Sequence, residues 1–223
     1  MRGERMHFEI LVEDQSGKQA IDILIPKIIG DTNTFKVRSY KGIGHIPKNL
    51  TPASEPNKRI LLDQLPRLIN GYGKSHKEIH DQFALIIVCD LDQKCMKAFR
   101  DELLTILEKC QHKPNTNFCF AIEEGEAWFL GDIEAVKQAY PKGKYHLLRN
   151  YQNDSICGTW EMLADAIYPG GRKSLSKKGY QEIGKVKSEW ARKIAQHMNT
   201  DINSSPSFNY FKNKLVTIIS SSQ

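Results

Sequence analysis

The chain has 223 residues, of which 40% are hydrophobic and 26% are charged, and it carries a formal net charge of +6. This composition is typical of a soluble globular protein with one large domain, or with one domain and a substantial appendage. It argues against an α-helical membrane protein, because no apolar stretch approaches the ~20 residues that span a bilayer. The N-terminal residues lack the long apolar core of a signal peptide, which predicts a cytoplasmic protein.

Strand and helix patterns alternate over the first 130 residues. Strands are predicted at residues 7–12, 34–40, 83–90 and 117–122, and helices at 18–29, 58–72 and 96–110. Pro26 is predicted to kink or restart the first helix, and Gly71 and Gly73 to end the second. Strands that alternate with helices favour parallel pairing with right-handed crossovers. The pattern therefore predicts an α/β fold with a mostly parallel four-stranded sheet flanked by helices.

The strand signal fades after residue 130. Helical patterns follow at residues 133–140, 159–167, 179–198 and 207–220, and basic residues are concentrated between Lys137 and Lys193. We predict one domain over residues 1–130 and a basic helical C-terminal extension over residues 131–223, packed on that domain. A basic segment beside an acidic site suits a protein that holds a phosphodiester backbone, although a solvated lysine-rich surface has the same pattern.

The third predicted strand ends in a pair of carboxylates. Seven consecutive apolar residues, 83–89, lead directly into Asp90 and Asp92. An apolar run of this length is typical of a strand buried on both faces of a parallel sheet. Ligands of open α/β sheets bind just beyond the carboxyl ends of the strands. Two carboxylates at that place form an oxygen-rich site suited to Mg²⁺, although Asp90 could instead cap the following helix.

Carboxylates also follow two other predicted strands: Glu13 follows the first, and Glu123, Glu124 and Glu126 follow the fourth. In a parallel sheet these strand ends share one edge, so we expect the side chains to converge with Asp90 and Asp92. Clustered like charges are unfavourable unless a cation neutralises them. One or two Mg²⁺ ions, for which Mn²⁺ can substitute, would do so and would support phosphoryl transfer. A solvated first turn of a helix is the alternative interpretation for Glu123 and Glu126.

Roles for these residues follow from the chemistry. Asp90 and Asp92 are expected to bind Mg²⁺, together with Glu124 or Glu126. Glu13 is expected to be a second metal ligand or the general acid/base.

Four further residues are candidates for contacts with substrate phosphates. Ser16 and Lys18 are placed near the N-terminus of the first helix, where backbone N–H groups can meet phosphate. Lys173 and Lys177 belong to the basic C-terminal segment, and nothing in their spacing fixes this role.

Several segments carry a resemblance to a known family. They are Val12-Glu13, the Val-Cys-Asp-Leu-Asp string at residues 88–92, the Glu-Ala-Trp-Phe-Leu-Gly-Asp string at residues 126–132, and residues 204–211. An early glutamate and a later Asp-x-Asp resemble the Toprim domain of topoisomerases, bacterial primases and overcoming-lysogenization-defect (OLD) nucleases. The whole set more closely resembles a Toprim-related family, domain of unknown function 4276. Many Toprim domains have glycine after the first glutamate, where this chain has Asp14.

The resemblance implies a Toprim-like, metal-dependent catalytic domain over residues 1–130. It also implies an association with an ATPase partner of the AAA or ABC type in a prokaryotic anti-phage system. Our leading hypothesis is thus a Mg²⁺-dependent endonuclease, or nuclease-like effector, that cleaves DNA or RNA and whose activity depends on its partner. The alternatives are a non-catalytic module that binds metal and nucleic acid, and a phosphoryl-transfer enzyme that acts on nucleotides. Assembly into a homo-oligomer is left open.

Overall fold

The computed structural model describes residues 5–47, 50–155 and 158–222 of the chain. Its centre is a sheet of four strands: β1 (His7–Val12), β2 (Thr34–Ser39), β3 (Phe83–Asp90) and β4 (Asn115–Ala121). Neighbouring strands are all parallel, and their order is β2-β1-β3-β4. The predicted α/β fold with a parallel four-stranded sheet is therefore confirmed.

Helices flank the sheet and form most of the C-terminal part. The α-helices are α1 (Gln15–Ile29), α2 (Leu65–Ser75), α3 (Met96–Lys109), α4 (Glu126–Leu130), α5 (Ile133–Ala139), α6 (Thr159–Ile167), α7 (Gly171–Ser176), α8 (Tyr180–His197) and α9 (Pro206–Ser221). Short 3₁₀ helices span Pro56–Lys58, Leu62–Gln64, Lys77–Gln82 and Tyr145–Leu148. Among the described residues, no helix is both long enough and apolar enough to cross a membrane.

The sheet is covered on both faces, which explains the unbroken apolar sequence of β3. Ile10 and Ile86 belong to a core layer that α1, α5, α8 and α9 share. Leu11 and Leu85 point the other way, into a layer formed with α2 and α3. α8 packs on α1, and α9 packs on β4. Because parallel pairing aligns β1, β3 and β4, their carboxyl ends lie at one edge of the sheet.

The first helix differs from the sequence prediction at its start and at Pro26. It begins at Gln15 rather than at residue 18, because Asp14 caps it by accepting a hydrogen bond from Gly17 N at 2.8 Å. It also continues through Pro26, which the sequence predicted to kink or restart it. Pro26 lies on the exposed side of the helix, where the carbonyl left without a donor can bond to water.

The second helix was predicted with the wrong bounds. It begins at Leu65 and continues to Ser75 through both Gly71 and Gly73. A Cβ atom on Gly73 would lie 2.5 Å from the carbonyl carbon of His112, in the loop that precedes β4. Gly73 therefore allows a close approach of helix and loop and does not end the helix.

Candidate functional site

Carboxylates from three strand ends meet at one edge of the sheet. Glu13 follows β1, Asp90 ends β3, and Glu126 begins α4 after β4. Together with Asp14 they line a cavity of about 40 Å³ beside the start of α1. This volume is sufficient for a water molecule or a small ion. We call the set of Glu13, Asp14, Asp90, Glu124 and Glu126 the acidic edge.

The carboxylates of the acidic edge are crowded and have few positively charged groups near them. Burial raises the pKa of Glu13 to about 7, and the charges of Asp92 and Asp14 add to the rise. The Oε2 atom of Glu13 is buried and has no hydrogen-bond partner in the described part of the chain. Burial, and then the charge of Glu13, raise the pKa of Asp90 well above its ordinary value. Such a cluster favours the binding of a cation.

Lys187 of α8 reaches the acidic edge. Its Nζ atom lies 3.1 Å from Glu124 Oε2 and 3.2 Å from Glu126 Oε2, and its side chain is 13% exposed. Burial acts to lower the pKa of Lys187, but the carboxylates of Glu126 and Glu124 outweigh it and raise the pKa. Burial and the charge of Glu126 nevertheless raise the pKa of Glu124 to about 8. Lys187 was not among the site residues predicted from the sequence.

Asp92 and Glu123 lie outside the acidic edge. Asp92 has a left-handed backbone conformation with φ of 50°, and its side chain is 48% exposed. Its Oδ2 atom lies 2.5 Å from Lys94 Nζ. Glu123 caps α6, because its Oε2 atom accepts hydrogen bonds from Gly158 N at 2.5 Å and from Thr159 N at 3.1 Å. Asp92 therefore does not line the small cavity, although its charge acts on Glu13, and Glu123 has a structural role.

The predicted phosphate contacts fall into two groups. Ser16 and Lys18 lie in the first turn of α1. Ser16 Oγ donates to Asp14 Oδ2 at 2.7 Å, and Lys18 Nζ pairs with a carboxylate one turn further along the helix at 2.6 Å. Lys173 lies in α7 and Lys177 follows it, and both are exposed. Phosphate binding by these four residues stays a prediction.

The donors at the acidic edge match Mg²⁺ or Mn²⁺ in their chemistry. Carboxylate oxygens are the hard ligands that such ions prefer, and the buried Oε2 atom of Glu13 still needs a partner. Within residues 5–47, 50–155 and 158–222, however, no group of three or more His, Cys, Asp or Glu side chains surrounds one metal position. Glu124 and Glu126 pair with Lys187 instead. Asp90 and Glu126, which line the small cavity, are the residues that would hold a divalent ion, and Glu13 lies beside them.

A comparison with protein families covers nearly the whole chain. The model of a family described as a domain of unknown function, DUF4276, matches residues 12–216. The chain belongs to this family. The match includes the whole acidic edge and Lys187, and it confirms the resemblance to DUF4276, whereas the relation to Toprim domains stays a prediction. No curated protein and no solved structure matches the chain significantly.

The Glu-Ala-Trp-Phe-Leu-Gly-Asp string of this DUF4276 chain packs against the segment that leads into α9. Trp128 Nε1 donates to Ser207 Oγ at 3.0 Å, and Asn203 Nδ2 donates to the Trp128 carbonyl at 2.8 Å. The Trp128 ring stacks on Phe211, with 5.0 Å between the ring centroids. Trp128 is thus a core anchor, and its contacts hold α4, and with it Glu126, at the edge of the sheet.

Gly131 lies where these two segments of the DUF4276 chain meet, and we expect Gly131→Ala to destabilise the fold. A Cβ atom at this position would overlap the side-chain oxygen of Asn203 and lie 2.8 Å from Ser205 N. Since backbone atoms in a packed core cannot easily move away, the free energy of unfolding should fall by about 2 kcal/mol. The corresponding fall in melting temperature is about 5 °C, measured by circular dichroism.

Gly184→Ala is the matched control for this prediction. Gly184 lies within α8, and a Cβ atom there meets nothing within 4 Å. Because alanine is the better helix former, this variant is expected to raise the melting temperature by about 2 °C. Equal melting temperatures for Gly131→Ala and the wild type would show that the two segments are not tightly packed.

Proposed function

We propose that this protein is a metal-dependent endonuclease, or a nuclease-like effector, that cleaves phosphodiester bonds in DNA or RNA. The observation that carries the proposal is the convergence of Glu13, Asp90 and Glu126 around a small cavity at the carboxyl edge of a parallel sheet. Ligand sites of open α/β sheets lie at this edge. Grouped carboxylates with too few protein cations are the kind of ligand set that Mg²⁺-dependent phosphoryl-transfer enzymes use.

The surroundings of each side chain support a distinct role. Mg²⁺ or Mn²⁺, when bound, supplies a Lewis acid and makes a bound water molecule easier to deprotonate. Asp90 and Glu126 would hold the ion. Glu13, whose pKa is raised to about 7 in the metal-free protein, can take up or release a proton near neutral pH, as a general acid/base must. Lys187 can offset negative charge on a phosphate that approaches the edge.

The cellular setting is proposed from the family resemblance. A Toprim-related nuclease would act in the cytoplasm as the effector of a prokaryotic anti-phage system, under the control of a separate ATPase of the AAA or ABC type. In such a system the isolated chain can bind metal and still await its partner before it cleaves.

The pairing of Lys187 favours one alternative function. Glu124 and Glu126 already have a protein cation, so the acidic edge could be a structural network in a non-catalytic module that binds nucleic acid. Such a module would show no metal-dependent turnover with any partner.

Metal binding and cleavage, measured on the same samples, test the proposed function. The wild type, Asp90→Asn and Glu13→Gln are titrated with Mg²⁺ and Mn²⁺ by calorimetry, and then incubated with plasmid DNA and total tRNA in Mg²⁺ or EDTA. We expect metal binding that Asp90→Asn abolishes and Glu13→Gln retains, and wild-type cleavage of one substrate class that needs Mg²⁺ and that neither variant supports. Metal binding without cleavage would direct the search to the ATPase partner. No metal binding at all would contradict the nuclease proposal.

A further inference from the structure

A second cavity lies beside β2 and α2, on the face of the sheet opposite α1 and α8. Its volume is about 520 Å³, which falls in the range of sites that bind small molecules. Its walls come from the end of β2, from the region around Pro56–Lys58 and from α2. None of the residues of the acidic edge lines it.

Three arginines from three separate segments line this cavity, namely Arg38, Arg59 and Arg67, whereas no carboxylate among the described residues does. Arg38 pairs with Glu9. Arg59 and Arg67 have no carboxylate within 4.0 Å in the described ranges. A guanidinium group without an acidic partner offers its planar fork of donors to a phosphate or a carboxylate. The cavity therefore has the positive charge and the hydrogen-bond donors that suit an anion.

A buried acid holds Arg38 in place. Glu9 of β1 is 3% exposed, pairs with Arg38 Nε and accepts a hydrogen bond from Tyr72 Oη at 2.9 Å. Burial acts to raise the pKa of Glu9, but the hydrogen bonds from His7, Arg38 and Tyr72 outweigh it and lower the pKa. Glu9 therefore stays charged and fixes one wall of the cavity, while the terminal N–H groups of Arg38 can face a ligand.

Two tyrosines add flat, largely apolar surface to the same cavity. Tyr40 and Tyr72 both line it and are partly buried. The guanidinium carbon of Arg59 lies 6.0 Å from the centroid of the Tyr40 ring, and Arg59 Nη2 donates to the Ser39 carbonyl at 2.5 Å. Aromatic rings beside arginines are the combination with which proteins stack a base and hold its phosphate.

We propose that this cavity binds a phosphate ester that carries a nucleobase, either as a free nucleotide or as one unit of a single strand. Arg59 and Arg67 bind the phosphate, and Tyr40 and Tyr72 contact the base. This goes beyond the proposed nuclease function, because it needs neither a metal nor cleavage. The cavity is nevertheless next to the acidic edge, since the Tyr40 amide donates to the Val12 carbonyl at 3.0 Å.

Binding in EDTA tests the proposal, because chelation removes any metal chemistry at the acidic edge. The full chain is titrated with a fluorescein-labelled single-stranded oligothymidylate, with AMP and with inorganic phosphate. Arg59→Gln/Arg67→Gln is compared with Lys109→Gln/Lys113→Gln, which removes the same charge from two exposed lysines outside the cavity, at the end of α3 and just after it. We expect the arginine variant to bind the oligonucleotide or AMP about 10-fold more weakly and the lysine variant to change less than about 2-fold.

The probes also distinguish the two sources of the ligand. AMP that binds by itself and displaces the oligonucleotide supports a free-nucleotide site, and binding of the oligonucleotide alone supports a strand site. Both arginines are exposed, so the melting temperature of the arginine variant should equal that of the wild type. Equal weakening in the two double variants, phosphate binding as tight as AMP binding, or no binding of any probe would overturn the proposal.

Discussion

Asp90→Asn is expected to abolish metal-dependent cleavage and, at the same time, to make the metal-free protein more stable. The loss of activity, on the order of 10³-fold, follows from the removal of a charged group that would position the ion. The gain in stability follows from the crowding at this position, where burial and the charge of Glu13 raise the pKa of Asp90 well above its ordinary value. A neutral amide of the same shape removes that repulsion, and residues that destabilise the fold in this way are typical of functional sites.

Two measurements on this variant check the two effects. Cleavage is assayed under the conditions in which the wild type is active, and the melting temperature is measured in EDTA near pH 8, where we expect a rise of about 3 °C. Asp101→Asn, on the exposed surface of α3, is the control and should change neither quantity. Retained cleavage with a lower melting temperature would instead identify Asp90 as a structural residue of the acidic edge.

The sheet and its acidic edge could be predicted from the sequence because their signals are local. The apolar run 83–89 fits only a strand that is covered on both faces or a short buried helix, and its length and β-branched residues favour the strand. The alternation of strands and helices then favours parallel order. Parallel order by itself places Glu13 and Asp90 at the same edge, without any knowledge of side-chain conformations.

Lys187 could not be assigned to this edge from the sequence, because the packing of α8 on α1 brings it there. The sequence does contain part of this information, since Lys187 lies on the buried side of α8, four residues after Ile183, three before Trp190 and seven before Ile194. A lysine on such a side either extends its amine to water or pairs with buried acids. The spacing does not distinguish between these two possibilities. The position of Glu126 in the fold shows that Lys187 pairs with a buried acid.

The arginine-lined cavity could not be predicted from the sequence either. A single helix over residues 58–72 was predicted there, and it would have placed Arg59 and Arg67 on one continuous element. Arg59 instead has a left-handed backbone conformation with φ of 54°, which ends the short 3₁₀ helix and separates it from α2. The link between Glu9 and Arg38 depends on the pairing of β1 with β2, and single-residue patterns do not encode which long side chains will meet.

Lys187→Met is expected to destabilise the metal-free protein by about 3–5 kcal/mol near pH 8, which lowers the melting temperature by about 10 °C. Methionine keeps the apolar length of the side chain but removes the charge that lies 3.1 Å from Glu124 and 3.2 Å from Glu126. Glu126, which is 2% exposed, would then be a buried carboxylate without its cation. Lys185→Met is the control on the same helix; its side chain is 67% exposed, and we expect a change within about 2 °C.

This destabilisation should shrink as the pH falls. The pKa of Glu124 is about 8 in the folded protein and 4.5 ordinarily, so between these values the folded state holds a proton that the unfolded state releases. Above the folded pKa the carboxylate is charged and needs Lys187, whereas near pH 5 it is protonated and does not. The pKa of Lys187 itself is raised, so the lysine stays charged throughout this range. An equal loss of stability at both ends of the range would contradict the assignment of Lys187 as counter-charge.

The effect of Mg²⁺ on the melting temperature of Lys187→Met distinguishes a metal site from a permanent ion-pair network. If Glu126 and its neighbours hold a divalent ion, excess Mg²⁺ near pH 8 should restore most of the melting temperature that Lys187→Met loses, because the ion supplies the missing positive charge. Sodium chloride at equal ionic strength is the control, since it acts only by screening. Recovery with Mg²⁺ alone would mean that the same carboxylates bind the lysine and the ion as alternatives. Recovery with neither salt would favour the non-catalytic module, in which Lys187 is the resident cation of the acidic edge.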